Sequence, residues 1–204
     1  MGAPFARVPA LSLLGCAQVT PSLRAPLILF TYFNPILRRG PDKFIAEIAA
    51  AGVSGLLIPD IPLEETGEAR ALCQRHGLEL VLLATPTTST ERMQKIAAAT
   101  NGFVYLVSVT GVTGVQEKME ERVKDLVAQL KSVTDKPIAV GFGISKPEQA
   151  AQIASWGADG VIVGSALVRA LGEAPTPGAH GTRLLARLTA NTSLCCAQRR
   201  GCRG

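Results

Sequence analysis

A chain of 204 residues with 47% apolar and 4% aromatic content buries one sizeable core, which leaves no room for a second full domain. The net charge of +5 sits at the ends: residues 1–25 hold Arg7 and Arg24, residues 175–204 hold Arg183, Arg187, Arg199, Arg200 and Arg203, and neither stretch has an acid, so the middle carries −2. A mildly acidic middle without a basic stripe excludes nucleic acid as the partner, and no apolar run reaches the roughly 18 to 20 residues of a membrane span.

Residues 1–25 contain Arg, Ser and Thr and a short apolar stretch from Ala10 to Cys16. They read either as a transit-like segment or as a divergent start unrelated to the rest. From Pro26 onward one unit recurs: a short apolar strand, a loop of Gly, Pro, Ser or Thr, then a helical stretch with apolar residues at 3 to 4 spacing. Strands are expected at Leu27–Thr31, Gly55–Pro59, Leu80–Ala84, Phe103–Ser108, Ile138–Gly141 and Gly160–Gly164, with helices at Pro41–Ala51, Leu63–His76, Ser89–Ala99, Lys118–Lys131 and Lys146–Trp156. Strand starts roughly 20 to 35 residues apart suit a strand plus a crossover helix in a parallel sheet. Ser89 and Ser145 are the expected helix caps, and Gly52, Gly77, Gly102 and Gly157 fall where a left-handed C-terminal cap belongs. Periodicity leaves a doubly wound sheet and a closed barrel equally open. The tail 175–204, rich in Arg and holding Cys195, Cys196 and Cys202, is expected to be disordered; its cysteines match neither a disulfide framework nor a zinc spacing.

In a parallel β/α fold the C-terminal strand ends share one face, so residues just after the strands converge on a site. Gly143 permits close backbone approach, and Gly164-Ser165 opens a short helical run, Ala166 to Leu171, whose free amides suit an anion. Paired Gly-rich loops after the last two strands are how barrels commonly hold a phosphate. Val109–Gly114, in a stretch rich in Gly and Thr, has the composition of a lid. Neither His76 nor His180 falls at a strand end, so no histidine base is expected.

Tyr32-Phe33-Asn34-Pro35, Pro59-Asp60-Ile61-Pro62-Leu63-Glu64-Glu65, Ser108 to Gly114, Gly141 to Gln149 and Gly164 to Val168 resemble, in order, the tryptophan synthase alpha family in its plant-like form, over Pro26 to Glu173. The resemblance implies a TIM (β/α)8 barrel, of which about six units are readable, over residues 26–174. It implies a lyase of tryptophan biosynthesis that cleaves indole-3-glycerol phosphate into indole and glyceraldehyde 3-phosphate, with no metal or organic cofactor. By position, Gly114, Phe142, Gly143, Gly164 and Ser165 would bind the phosphate, and Tyr32 and Tyr105 would line the rest of the substrate pocket. Asn34 and Pro62 would face the pyridoxal phosphate-dependent beta subunit, and plant-type relatives imply the chloroplast.

The resemblance has a gap. The family's acid–base pair, a Glu at the end of the second barrel strand and an Asp in the following loop, belongs before Pro26, where residues 1–25 contain no acid. The chain is therefore expected to be truncated, and its catalytic residues absent. Asp60, the one acid at a strand end, sits in a Pro-Asp-Ile-Pro turn that favours a loop-fixing role. An inactive paralogue that only binds a phosphate ligand or a beta subunit is the alternative; another phosphate-handling barrel is disfavoured by Asn34-Pro35 and Pro59 to Glu65.

Overall fold

The computed structural model of the protein describes residues 8–108, 116–141 and 143–172. It divides into two compact units, the first holding residues up to Leu82 with Ala98–Gly102, the second Leu83–Ala97 and the residues from Phe103 on.

The first unit runs α1 (Val8–Val19), a 3-10 turn (Thr20–Ser22), β1 (Ile28–Phe30), α2 (Phe33–Arg39), α3 (Pro41–Ala50), β2 (Gly55–Leu57), a second 3-10 turn (Leu63–Glu65), α4 (Thr66–Arg75) and most of β3 (Glu79–Ala84). β1, β2 and β3 are parallel neighbours in chain order, with Leu29 paired to Leu56 and Leu56 to Leu80. Ile36, Ile45, Ile48, Leu56, Leu72, Cys73 and Leu80 form the buried interior; each large apolar side chain removed from water contributes about 1.5–3 kcal/mol. Thr100 closes the end of β3, its hydroxyl accepting from the Leu82 N–H at 2.8 Å and donating to the Leu80 carbonyl at 3.3 Å.

The second unit holds most of α5 (Thr90–Ala99), then β4 (Val104–Val107), α6 (Gln116–Val133), β5 (Ile138–Gly141), α7 (Pro147–Ser155), β6 (Gly160–Ile162) and α8 (Ser165–Gly172). β4, β5 and β6 are again parallel and in chain order, Val107 pairing with Gly141 and Gly141 with Ile162. Met93, Val104, Leu106, Val127, Leu130, Ile138, Val140 and Ala150 are among its buried residues. At the opposite end of the strands, Asp159 pairs with Lys131 and accepts the Ile138 N–H at 2.8 Å, tying α6 to the start of β5.

Two elements and one cap differ from expectation. The segment read as transit-like or divergent carries α1, which has no apolar periodicity and is anchored by Thr20: its hydroxyl donates to the Cys16 carbonyl at 2.6 Å and lies 3.0 Å from the Ala51 carbonyl at the end of α3. α2 occupies residues read as a strand-end loop. At α7 the N-cap is Lys146 rather than Ser145, and Gln149 Oε1 reaches back to accept from the N–H groups of both residues at 3.0 Å. The four glycines expected as C-terminal caps all adopt positive φ, between 68° and 93°. The tail 175–204 lies outside the described residues.

Candidate phosphate-binding site

β5 and β6 set the height of the site. Gly141 and Ile162 are register partners, and Gly143 and Gly164 each follow two residues later, so two glycine loops leave adjacent parallel strands at one level. Gly143 is left-handed, with φ of 77°, a conformation that a side chain strains. Gly164 is different: its φ lies outside the left-handed region, and among the described residues a Cβ added to it would meet no atom within 4 Å. Neither its backbone conformation nor packing among the described residues requires glycine there.

Gly164 begins α8, its carbonyl accepting from the N–H groups of Leu167 at 2.9 Å and Val168 at 3.2 Å. The amides before Leu167, of Ser165 and Ala166, precede that pattern and have no acceptor within the helix, and the helix start carries a partial positive charge. Gly164 and Ser165 at this helix start are exposed, an arrangement suited to an anion without the need of a lysine.

Tyr105 lies on β4, 8% exposed, and burial raises its hydroxyl pKa, keeping it a neutral donor. Its ring crosses toward β5 so closely that a Cβ on Gly141 would fall 2.6 Å from both Cε2 and Oη. Ser108 fixes the end of β4, its N–H and hydroxyl both donating to the Gly141 carbonyl, at 2.8 and 3.0 Å. Tyr105, Gly143, Gly164 and Ser165 thus all belong to the second unit. Gly114, Phe142 and the lid stretch Val109–Gly114 lie outside the described residues.

Tyr32, Asn34 and Pro62 belong to the first unit and are exposed, Tyr32 at 65%. The loops that carry them are tied together: Asp60 Oδ1 accepts the Phe33 N–H at 2.8 Å, holding the start of α2 against the turn after β2. The bond bears out the loop-fixing role expected of Asp60; its partner, 27 residues away, was not legible from spacing. Among the described residues no group of three or more His, Cys, Asp or Glu gathers as metal ligands, and no helix is long and apolar enough to cross a membrane.

The sequence profile of the tryptophan synthase alpha chain family matches residues 9–194. The tryptophan synthase alpha chain of Arabidopsis thaliana is 58% identical over 160 residues, covering 78% of this chain and 58% of that protein. The alpha chain of a Picosynechococcus species is 58% identical over 154 residues, covering 76% of this chain and 58% of that protein. The chain thus spans about 58% of the length of these curated relatives. Among solved structures, the tryptophan synthase A-subunit of Pyrococcus furiosus superposes with a TM-score of 0.77 at 37% identity, covering 88% of this chain and 72% of that one. A chain from the a2b2 tryptophan synthase complex of the same organism gives 0.78 at 37% identity, covering 88% and 73%. The six β/α units are those of a TIM barrel, and the chain belongs to the tryptophan synthase alpha chain family.

Proposed function

We propose that this chain serves tryptophan biosynthesis as a tryptophan synthase alpha-type subunit, seating the phosphate of indole-3-glycerol phosphate at the loops of Gly143 and Gly164-Ser165. The reaction is the lyase step that separates indole from glyceraldehyde 3-phosphate. The observation that carries the reading is Gly164, a glycine that has no conformational or packing reason among the described residues and stands at the mouth of a helix N-terminus. A phosphate oxygen occupying that open volume gives it one. Tyr105 supplies a buried ring as a pocket wall, and Tyr32, Gly114 and Phe142 complete the proposed set, with Val109–Gly114 as the lid.

Cleaving the bond at indole C3 requires a proton delivered to that carbon and acceptors for the ring N–H and glycerol hydroxyl protons. Among the described residues, Asp60 is the one carboxylate in the turn directly after a strand, and it accepts the Phe33 amide. That bond favours a second reading for the isolated chain: a protein that binds the phosphate ligand, or a beta subunit, without turning substrate over. Incubating the full chain with indole-3-glycerol phosphate while following binding and indole release separates the readings. We expect saturable binding without indole above a buffer control. Indole release that Asp60→Asn abolishes would return catalysis to this chain, and absence of binding would overturn both readings.

The surface around Asn34 and Pro62 is the one we propose for a beta subunit, on the analogy of the a2b2 complex solved for the Pyrococcus furiosus protein. The compartment we propose is the plastid, by analogy with plant-type members; import of a fusion bearing residues 1–25 into isolated chloroplasts tests it.

A further inference from the structure

Among the described residues the buried polar side chains are Thr66, Thr100 and Ser108. Thr66 and Thr100 belong to the first unit and close a turn and a strand end there, Thr66 donating to the Leu63 carbonyl at 2.7 Å and Thr100 bridging Leu80 and Leu82. Ser108 belongs to the second unit, is 3% exposed, and acts on the residue from which the Gly143 loop departs.

Val107 and Gly141 are the last register partners of β4 and β5. Ser108 follows with two donors on the Gly141 carbonyl, the N–H at 2.8 Å and the hydroxyl at 3.0 Å. The N–H alone extends the ladder; the hydroxyl takes the second lone pair of the same oxygen. A carbonyl is coplanar with the amide that follows it, so gripping it with two donors sets the direction in which the chain leaves β5. Glycine at 141 and 143 confines the backbone little by itself, and the direction has to come from a neighbour. The exit of the loop is held locally: Ile144 is buried, and Gln149 Oε1 accepts the N–H groups of Ser145 and Lys146, four and three residues back. The tie at the start is long-range, spanning 33 residues.

We infer that Ser108 is a positioning residue for the phosphate, its hydroxyl holding the Gly143 loop level with Gly164-Ser165 before any ligand arrives. The inference rests on the proposed phosphate site and adds the residue that sets its specificity. Gly141 is also the register partner of Ile162, two residues before Gly164, so an orientation fixed at Gly141 is fixed relative to the start of α8. A loop held ready loses less freedom on binding, and the gain belongs to the ligand that uses the loop.

Isothermal titration of the full chain with indole-3-propanol phosphate and with the free alcohol tests it. Ser108→Ala is expected to weaken binding of the phosphate ester about fivefold, the scale of one hydrogen bond, and to leave the alcohol within about twofold. Ser108→Cys places a much weaker donor at the same position; it is expected to behave alike and carries the test if the alanine variant does not fold. Val127→Ala, which removes buried packing in α6, is expected to lower the thermal midpoint and keep the wild-type preference for the ester. A folded Ser108 variant with the wild-type preference overturns the inference and leaves the phosphate site standing. An equal loss in Val127→Ala assigns the effect to general loosening and also overturns it. A wild-type chain that shows no preference for the ester overturns the phosphate site and the inference together.

Discussion

A Cβ built on Gly141 falls 2.6 Å from Tyr105 Cε2 and Oη and 2.9 Å from Ile162 Cβ, so any side chain there displaces the tyrosine ring or separates β5 from β6. Gly141→Ala is expected to destabilise the protein by about 1–3 kcal/mol in urea unfolding, the usual cost of overpacking a filled site. Adding Tyr105→Leu, which removes the ring edge, should recover part of that loss; two strictly additive changes would show that the contact is not the cause. Gly164 is the counterpart with no such neighbour. Gly164→Asp places a favoured N-cap residue, with its charge, at a helix N-terminus. Its thermal midpoint should match or exceed that of the wild type, even though a negative charge stands where phosphate is to bind. Cys73 is fully buried, and burial pushes its thiol up to about 11 from 9.0. The native state therefore favours the neutral thiol. The stability this contributes is complete below pH 9 and falls as pH rises toward 11. Mass spectrometry after iodoacetamide treatment at pH 8 should find Cys73 unlabelled in the folded chain and labelled in urea; equal labelling would contradict the burial.

At the level of elements, what was legible depended on whether a local signal carried the whole decision. β5 came out as expected because Ile138 to Gly141 is a short apolar run between Pro137 and a glycine loop, and α5 because Ser89 supplies a cap, accepting the Met93 N–H at its carbonyl at 2.8 Å. α2 was hidden by Asn34-Pro35, which reads as a turn. Proline is tolerated in a first helical turn, and Arg38, Arg39 and the left-handed Gly40 were the end signals available. α1 offered no such help, being apolar without a period, and its placement rests on Thr20, a tertiary clamp that sequence does not announce. Thr20→Val should release it: hydrogen exchange in α1 is expected to rise at least tenfold while β5 keeps its protection, and unchanged exchange in α1 would show that packing alone holds the helix. The two glycine loops were legible because glycine leaves a mark in sequence; the loop-fixing role of Asp60 was legible from its Pro-Asp-Ile-Pro turn, but its partner, a backbone amide, was not.

On the scale of the whole molecule, family membership and function separate along the chain. The family match runs from residue 9 to residue 194, while the chain corresponds to about 58% of the length of the curated relatives. The second unit holds the glycine loops and the start of α8, and the first unit holds Asp60 as a loop tie, so anion binding is the property we propose for this chain. The most direct measurement is isothermal titration of the full chain with indole-3-propanol phosphate and with the same alcohol lacking phosphate, each against wild type and Gly164→Asp. The account predicts saturable binding of the phosphate ester by the wild type, at least tenfold weaker binding of the free alcohol, and loss of that preference in a stably folded Gly164→Asp. Equal affinity for the two ligands, or a phosphate preference that survives Gly164→Asp, would contradict it.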